Sequence, residues 1–163
     1  MKTPPGVMDI FLQPGDFYFG DSSTRIRTIL GSCISITMWH PVLLIGGMCH
    51  YMLPSRRVKE KDNSQGKYAD EAIQLFLDEA RRHKTDPRDY QIKLFGGGSM
   101  FATADLNHDD GVPKRNIDAA QRLLAHHNLT LTSQHVGLTG HRNIIFDIWT
   151  GHVWVRYQPI IRG

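Results

Sequence analysis

The chain has 163 residues, 40% hydrophobic and 21% charged, with a formal net charge of +3. That length suffices for a sizeable core without disulfide help, and one domain over residues 1–163 is expected. Basic residues are scattered and their excess is small, which argues against a nucleic-acid footprint and leaves only a mild preference for acidic partner surfaces.

There are two cysteines, Cys33 and Cys49. Residues 1–16 carry Pro4, Pro5 and Pro14 and lack the apolar core of a secretory signal. The longest apolar run, around Val42–Ile45, is far too short to span a bilayer. A cytoplasmic protein with reduced thiols is therefore expected. A Cys33–Cys49 disulfide is conceivable across a hairpin, but that compartment disfavours it.

Along the chain, residues 1–15 read as irregular, and Asp16-Phe17-Tyr18-Phe19 as a short strand. Arg25–Leu30 alternates towards Gly31, and Ile34–Trp39 alternates clearly, with Ile34, Ile36 and Met38 against Ser35 and Thr37. Leu43–Leu53 is apolar but broken by Gly46-Gly47, as in a bent or bulged strand. A polar loop spans Pro54–Lys67. Ala69–Arg82 places Ala69, Ile73, Phe76, Leu77 and Ala80 on one helical stripe, and Pro87 forbids its continuation.

Gln91–Phe95 predicts a strand running into Gly96-Gly97-Gly98-Ser99. Residues 102–112 read as loop, with a turn at Asn107–Gly111. Asn116 is expected to N-cap a second helix with Ile117, Ala120, Leu123 and Leu124 inward. Strands follow at Leu129–Val136, Ile144–Trp149 and His152–Tyr157, the last two joined by a Thr150-Gly151 turn. Strands, helix, strand, helix, strands predict a layered α/β or α+β domain. Its sheet is largely antiparallel, because several connections are too short for crossovers.

The chemistry concentrates at Thr28-Ile29-Leu30-Gly31-Ser32-Cys33. Gly31 permits a turn that other residues resist, and backbone N–H groups at Ser32 and Cys33 then stand beside the sulfur to stabilise an oxyanion. If the strand after Cys33 turns back at His40-Pro41, the returning strand brings His50 near the thiol as a general base. Thr28 is the natural residue to orient the imidazole. Cys49 has no turn before it and reads as packing.

The glycines at 96–98 lack the lysine and hydroxyl spacing of a phosphate loop, so close backbone approach to the active turn, or simple turn-making, is preferred. The nine histidines form no zinc-ligand pattern. No cofactor or metal is expected.

Leu30-Gly31-Ser32-Cys33, Gly46-Gly47-Met48-Cys49-His50-Tyr51-Met52-Leu53-Pro54, Gly66-Lys67-Tyr68-Ala69-Asp70, Phe95-Gly96-Gly97-Gly98-Ser99-Met100-Phe101 and Arg115-Asn116-Ile117, in that order, resemble the chemoreceptor glutamine deamidases (CheD family). The resemblance implies hydrolysis of glutamine side-chain amides on the cytoplasmic helical bundle of methyl-accepting chemotaxis receptors. It also implies a Cys/His/Thr triad, falling here on Cys33, His50 and Thr28, and a three-layer fold like that of glutamine-deamidating toxins. A CheC-type CheY-phosphate phosphatase is the further partner implied.

The family's threonine can sit one position further from the cysteine, where this chain has Arg27, so Thr28 is assigned by adjacency. The family's Asp-x-Gly-Gly pattern appears here as His135-Val136-Gly137-Leu138. The rival expectations are a non-catalytic adaptor that docks on receptors or a phosphatase, and an unrelated cysteine amidase or acyltransferase acting on small molecules.

Overall fold

The computed structural model describes residues 3–57, 65–101 and 111–160. The Asn107–Gly111 turn and the middle of the Pro54–Lys67 loop lie outside the described residues, apart from Gly111 itself. Nine strands and two α-helices are described: β1 Met8–Phe11, β2 Phe17–Gly20, β3 Thr24–Leu30, β4 Ile34–His40, β5 Ile45–Cys49, α1 Ala69–Arg82, β6 Gln91–Gly96, α2 Val112–His126, β7 Leu131–Val136, β8 His141–Asp147 and β9 His152–Gln158.

They form a four-stranded sheet, β1-β3-β8-β9, and a five-stranded sheet, β2-β5-β4-β6-β7. Only β1–β3 and β6–β7 pair in parallel, so the mixed, largely antiparallel layered fold expected from the element order is the one observed. The parallel β6–β7 pair is joined through α2, the longer crossover that such pairing needs.

Two apolar clusters separate three layers. Ile34, Ile36, Met38, Cys49, Ile92 and Leu94 of the five-stranded sheet meet Ala72, Ile73 and Phe76 of α1 and Ala119, Ala120 and Leu124 of α2. On the other face, Met48, Phe95 and Cys33 meet Ile26, Leu30, Ile144 and Phe146 of the four-stranded sheet. The five-stranded sheet is thus covered on both sides, which is why β4 is buried at nearly every position. In β3, by contrast, Thr24, Ile26, Thr28 and Leu30 are buried while the residues between them are not.

Three expectations are corrected. Residues 8–11, expected to be irregular, form β1, which pairs with β3 through Met8–Thr24 to Phe11–Arg27. Four residues between prolines carry no period long enough to read, and their partner is distant in sequence. The bent strand expected over Leu43–Leu53 is only the five residues of β5, with a turn at 41–44 before it.

The third correction concerns α2, which begins at Val112, with Gly111 as N-cap and Pro113 in its first turn. Asn116 is therefore inside the helix and caps nothing. Proline at the first turn is a start signal that outranks a downstream asparagine.

Candidate active site

The hairpin β4–β5 sets the geometry. β4 ends at His40, whose Nδ1 accepts from the N–H groups of Val42 (3.3 Å) and Leu43 (3.1 Å). β5 returns antiparallel with Thr37 opposite Met48. The same register continues past β5: Ile34 and Tyr51 exchange backbone hydrogen bonds of 3.0 and 2.9 Å. Cys33 is therefore opposite Met52, and His50 opposite Ser35.

Cys33 and His50 become diagonal neighbours across the strand pair. Ile34, Cys49 and Tyr51 all face the helices. Their sequence neighbours Cys33 and His50 face the four-stranded sheet, because successive side chains alternate. The 17-residue interval between them is the length of this hairpin.

The four-stranded sheet supplies the third group. Thr28 faces inward from β3, and its Oγ1 lies 2.7 Å from His50 Nδ1 and 2.9 Å from the Leu12 carbonyl oxygen. A carbonyl only accepts, so the single hydroxyl proton goes to Leu12 and Thr28 Oγ1 must receive the proton on His50 Nδ1. That fixes the neutral tautomer and leaves the Nε2 lone pair as the basic site. The chain after β1 also grips the His50 backbone: His50 N–H donates to Asp16 O at 3.0 Å, and Gly15 N–H donates to His50 O at 2.8 Å.

Burial sets the protonation states. His50 is buried, which drives its pKa down from 6.5 to about 4, with the Asp16 charge pulling weakly upward. Partial burial pushes the Cys33 thiol above its ordinary 9.0, opposed by a hydrogen bond from the Ser32 side chain. Both shifts favour the neutral forms, a thiol at Cys33 and an uncharged imidazole at His50, over a thiolate and an imidazolium.

Cys49 is fully buried and its thiol is pushed up to about 12. Its sulfur accepts from Ile36 N–H at 3.4 Å on the helix-facing side. Both cysteines are free, and they lie on opposite faces of the sheet.

The turn at 31–33 is held by the glycine run. Gly97 N–H donates to Cys33 O at 3.0 Å, and Gly98 N–H donates to Gly31 O at 2.9 Å. A Cβ on Gly96, at φ +109°, would overlap the Cys33 carbonyl oxygen, so the run makes the close backbone approach preferred above. The N–H groups of Ser32 and Cys33 donate to no backbone acceptor among the described residues.

Gly31 itself does not adopt a positive φ, correcting the expectation of a turn other residues resist. A Cβ there would instead stand 3.0 Å from Met100 Sδ. A cavity of about 460 Å³ opens beside Ser32, lined among others by Gly97, Met100, Phe101, Ile117 and Leu138.

Sequence reasoning missed two contributors. The Leu12 carbonyl that orients Thr28 is backbone and leaves no compositional trace. The other is Asn116, fully buried, whose Nδ2 donates to Ser32 O at 3.1 Å and Met52 O at 2.9 Å. An asparagine inside a helical pattern, where it is a poor helix former, was the available signal. No helix among the described residues is long and apolar enough to cross a membrane.

Residues 52–157 match the family model described as CheD chemotactic sensory transduction. The match starts two residues after His50, so Thr28, Cys33 and His50 precede it, but comparisons with whole relatives take them in. The chain is 50% identical over 161 residues to the probable chemoreceptor glutamine deamidase CheD of Pseudomonas savastanoi pv. phaseolicola, spanning 98% of this chain and 90% of that one. It is 50% identical over 163 residues to the protein of the same name from Pseudomonas fluorescens, with the same coverage, and 43% identical over 159 residues to CheD 1 of Leptospira interrogans serovar Lai, covering 93% of this chain and 94% of that one.

Among solved structures, the Bacillus licheniformis hypothetical protein YfiH aligns over 77% of this chain and 50% of that chain, with 10% identity and a TM-score of 0.44. Identity of this order sustained over nearly whole chains, together with a family model covering most of the sequence, makes this chain a member of the CheD family.

Proposed function

We propose that the protein deamidates glutamine side chains on the cytoplasmic domains of chemotaxis receptors, through a thioester on Cys33. The observation that carries the reading is the Thr28–His50 hydrogen bond. It leaves Nε2 as the base on the sheet face that Cys33 shares. The relatives' names supply the substrate class: they are chemoreceptor glutamine deamidases.

His50 Nε2 takes the Cys33 thiol proton as sulfur attacks the carboxamide carbon. The tetrahedral oxyanion accepts from the Ser32 and Cys33 N–H groups. The intermediate collapses with loss of ammonia, which receives the proton from His50. Water, deprotonated by the same imidazole, then attacks the thioester to give glutamate and restore the thiol. A depressed pKa suits His50 to this task, because the imidazole is ready to accept at neutral pH. It makes proton transfer part of the attack and not a step completed before it.

The cavity beside Ser32, one residue from Cys33 and not itself lined by Cys33, His50 or Thr28, is exposed at Met100, Phe101 and Leu138, an apolar rim on which a receptor helix could rest. The same reading includes a cytoplasmic location, where the receptor domains lie, and a CheC-type phosphatase as second partner, to be tested by co-purification.

The deciding experiment is mass spectrometry of a receptor cytoplasmic fragment after incubation with the wild type or Cys33→Ala. A gain of about one mass unit at particular glutamines, with wild type alone, is the expected result for amide converted to acid. The same gain with Cys33→Ala removes the nucleophile from the proposal. No gain with either leaves the docking-adaptor reading in its place.

A further inference from the structure

Asn116 occupies the fifth position of α2 and is fully buried. Both donors of its side-chain amide are used, one on the Ser32 carbonyl and one on the Met52 carbonyl. These carbonyls belong to the two chain segments that carry Cys33 and His50, at the place where their pairing stops. Ile34–Tyr51 is the final bridge between them. Beyond it the Met52 N–H turns away to Lys67 O at 2.8 Å.

Two carbonyls have nothing to offer each other. A planar NH2 group satisfies both and fixes their separation. The amide orientation follows from the same contacts, since the flipped form would set Oδ1 against two acceptors. The hydroxyl of Tyr51 donates to the Asn116 backbone carbonyl, so the helix is tied to the His50 segment at two successive residues.

Asn116 Oδ1, however, is buried with no partner among the described residues. An orphaned acceptor inside a protein is costly, and an apolar side chain of the same size would remove it only by taking the donor away from the Ser32 and Met52 carbonyls. Retaining the amide makes sense where its two donors do something packing does not. Here that is to hold the nucleophile turn against the segment of the base.

We propose that Asn116 is a positioning residue of the deamidation reaction, acting through Cys33 and His50 and touching no substrate. The inference rests on the reading that Cys33 is the nucleophile. Its prediction is a loss in turnover without a loss in substrate binding.

Asn116→Asp keeps the size and removes both donors. With a receptor cytoplasmic fragment as substrate and ammonia release as the readout, this variant is compared with wild type, Cys33→Ala and Leu124→Ala. Leu124 is buried on the same helix roughly two turns further on, and its truncation loosens α2 without removing either hydrogen bond. The expected result is a kcat lowered about 100-fold in Asn116→Asp with KM within about threefold of wild type, and a near-wild-type kcat in Leu124→Ala at temperatures where all are folded.

A kcat for Asn116→Asp within about threefold of wild type, or an equal loss in Leu124→Ala, overturns the positioning role. Activity in Cys33→Ala instead overturns the nucleophile reading, whatever Asn116→Asp does. Should Asn116→Asp not fold, the wild type decides by nitrogen-15 NMR: both Asn116 side-chain protons should exchange slowly with solvent, and both signals should move when Cys33 is alkylated. Exchange at the rate of a free amide, or signals indifferent to alkylation, overturns the proposal.

Discussion

Thr28 Oγ1 and His50 Nδ1 lie 2.7 Å apart across the boundary between the two sheets, and the Leu12 carbonyl decides which of them donates. The hydrogen bond therefore holds the imidazole in one tautomer, as a carboxylate could, without bringing a negative charge into a buried site. That is consistent with a His50 pKa lowered by burial, since no anion sits on Nδ1 to raise it.

Thr28→Val is nearly isosteric and removes both bonds. His50 then loses its tautomer lock, and kcat for ammonia release should fall on the order of 100-fold. The Leu12 carbonyl is also left without its partner, which should cost about 1–3 kcal/mol in denaturant unfolding. Thr28→Ser, which keeps the hydroxyl, should retain most of the activity. A Thr28→Val protein as fast as Thr28→Ser would show that the hydroxyl orients nothing.

The pH dependence has a definite sign. The folded His50 pKa of about 4 lies below the ordinary 6.5, so the unfolded chain binds this proton more readily. The contribution to stability is complete above pH 6.5, shrinks as the pH falls through the interval to 4, and is constant below that. Its full size is on the order of 3 kcal/mol. Correspondingly, the acid limb of kcat/KM should have its midpoint near 4. Unfolding titrations of wild type and His50→Gln separate this group from the carboxylates: the wild type should lose more stability than the variant between pH 6.5 and 4. Parallel curves would contradict the assignment.

Thiol chemistry gives a different test. Cys33 is half-buried with its pKa raised, and Cys49 is sealed between sheet and helices with its thiol at about 12. Iodoacetamide should modify Cys33 first, at a rate that keeps rising beyond pH 9 and does not level off near neutrality. A plateau below pH 7 would reveal a resting thiolate–imidazolium pair. Cys49→Ala should leave kcat almost unchanged.

What the sequence disclosed and what it hid divide along physical lines. The alternation of Ile34–Trp39, the stripe of α1 and the Thr150-Gly151 turn are local signals, and the elements they announce are present. Pairing Cys33 with His50 needed only one hairpin, so their placement on one sheet face followed from spacing. Placing Thr28 against His50 required two sheets to stack, which no local pattern encodes. The segment from β1 to Asp16 was opaque because its contributions are backbone contacts: the Leu12 carbonyl, the Asp16 carbonyl and the Gly15 N–H. Asn116 was legible as a polar residue in need of a purpose, but the purpose lay in tertiary contact and not in helix capping.

The glycines that end β6 and follow β7 offer the last test, because they separate strain from collision. Gly96 and Gly137 both hold positive φ, +109° and +77°. A Cβ on Gly137 meets nothing within 4 Å, whereas one on Gly96 would overlap the Cys33 carbonyl oxygen. Gly137→Ala should therefore bear only the backbone penalty, about 1–2 kcal/mol. Gly96→Ala adds a collision with backbone that no rotamer relieves, so its loss should reach about 3 kcal/mol or more. The displaced carbonyl belongs to Cys33, the proposed nucleophile, and its bond from Gly97 N–H must lengthen. Deamidation by Gly96→Ala should thus fail at temperatures where the protein is still folded, as read by circular dichroism beside the activity assay. Equal stability losses in the two variants would mean that the turn yields more easily than these contacts imply.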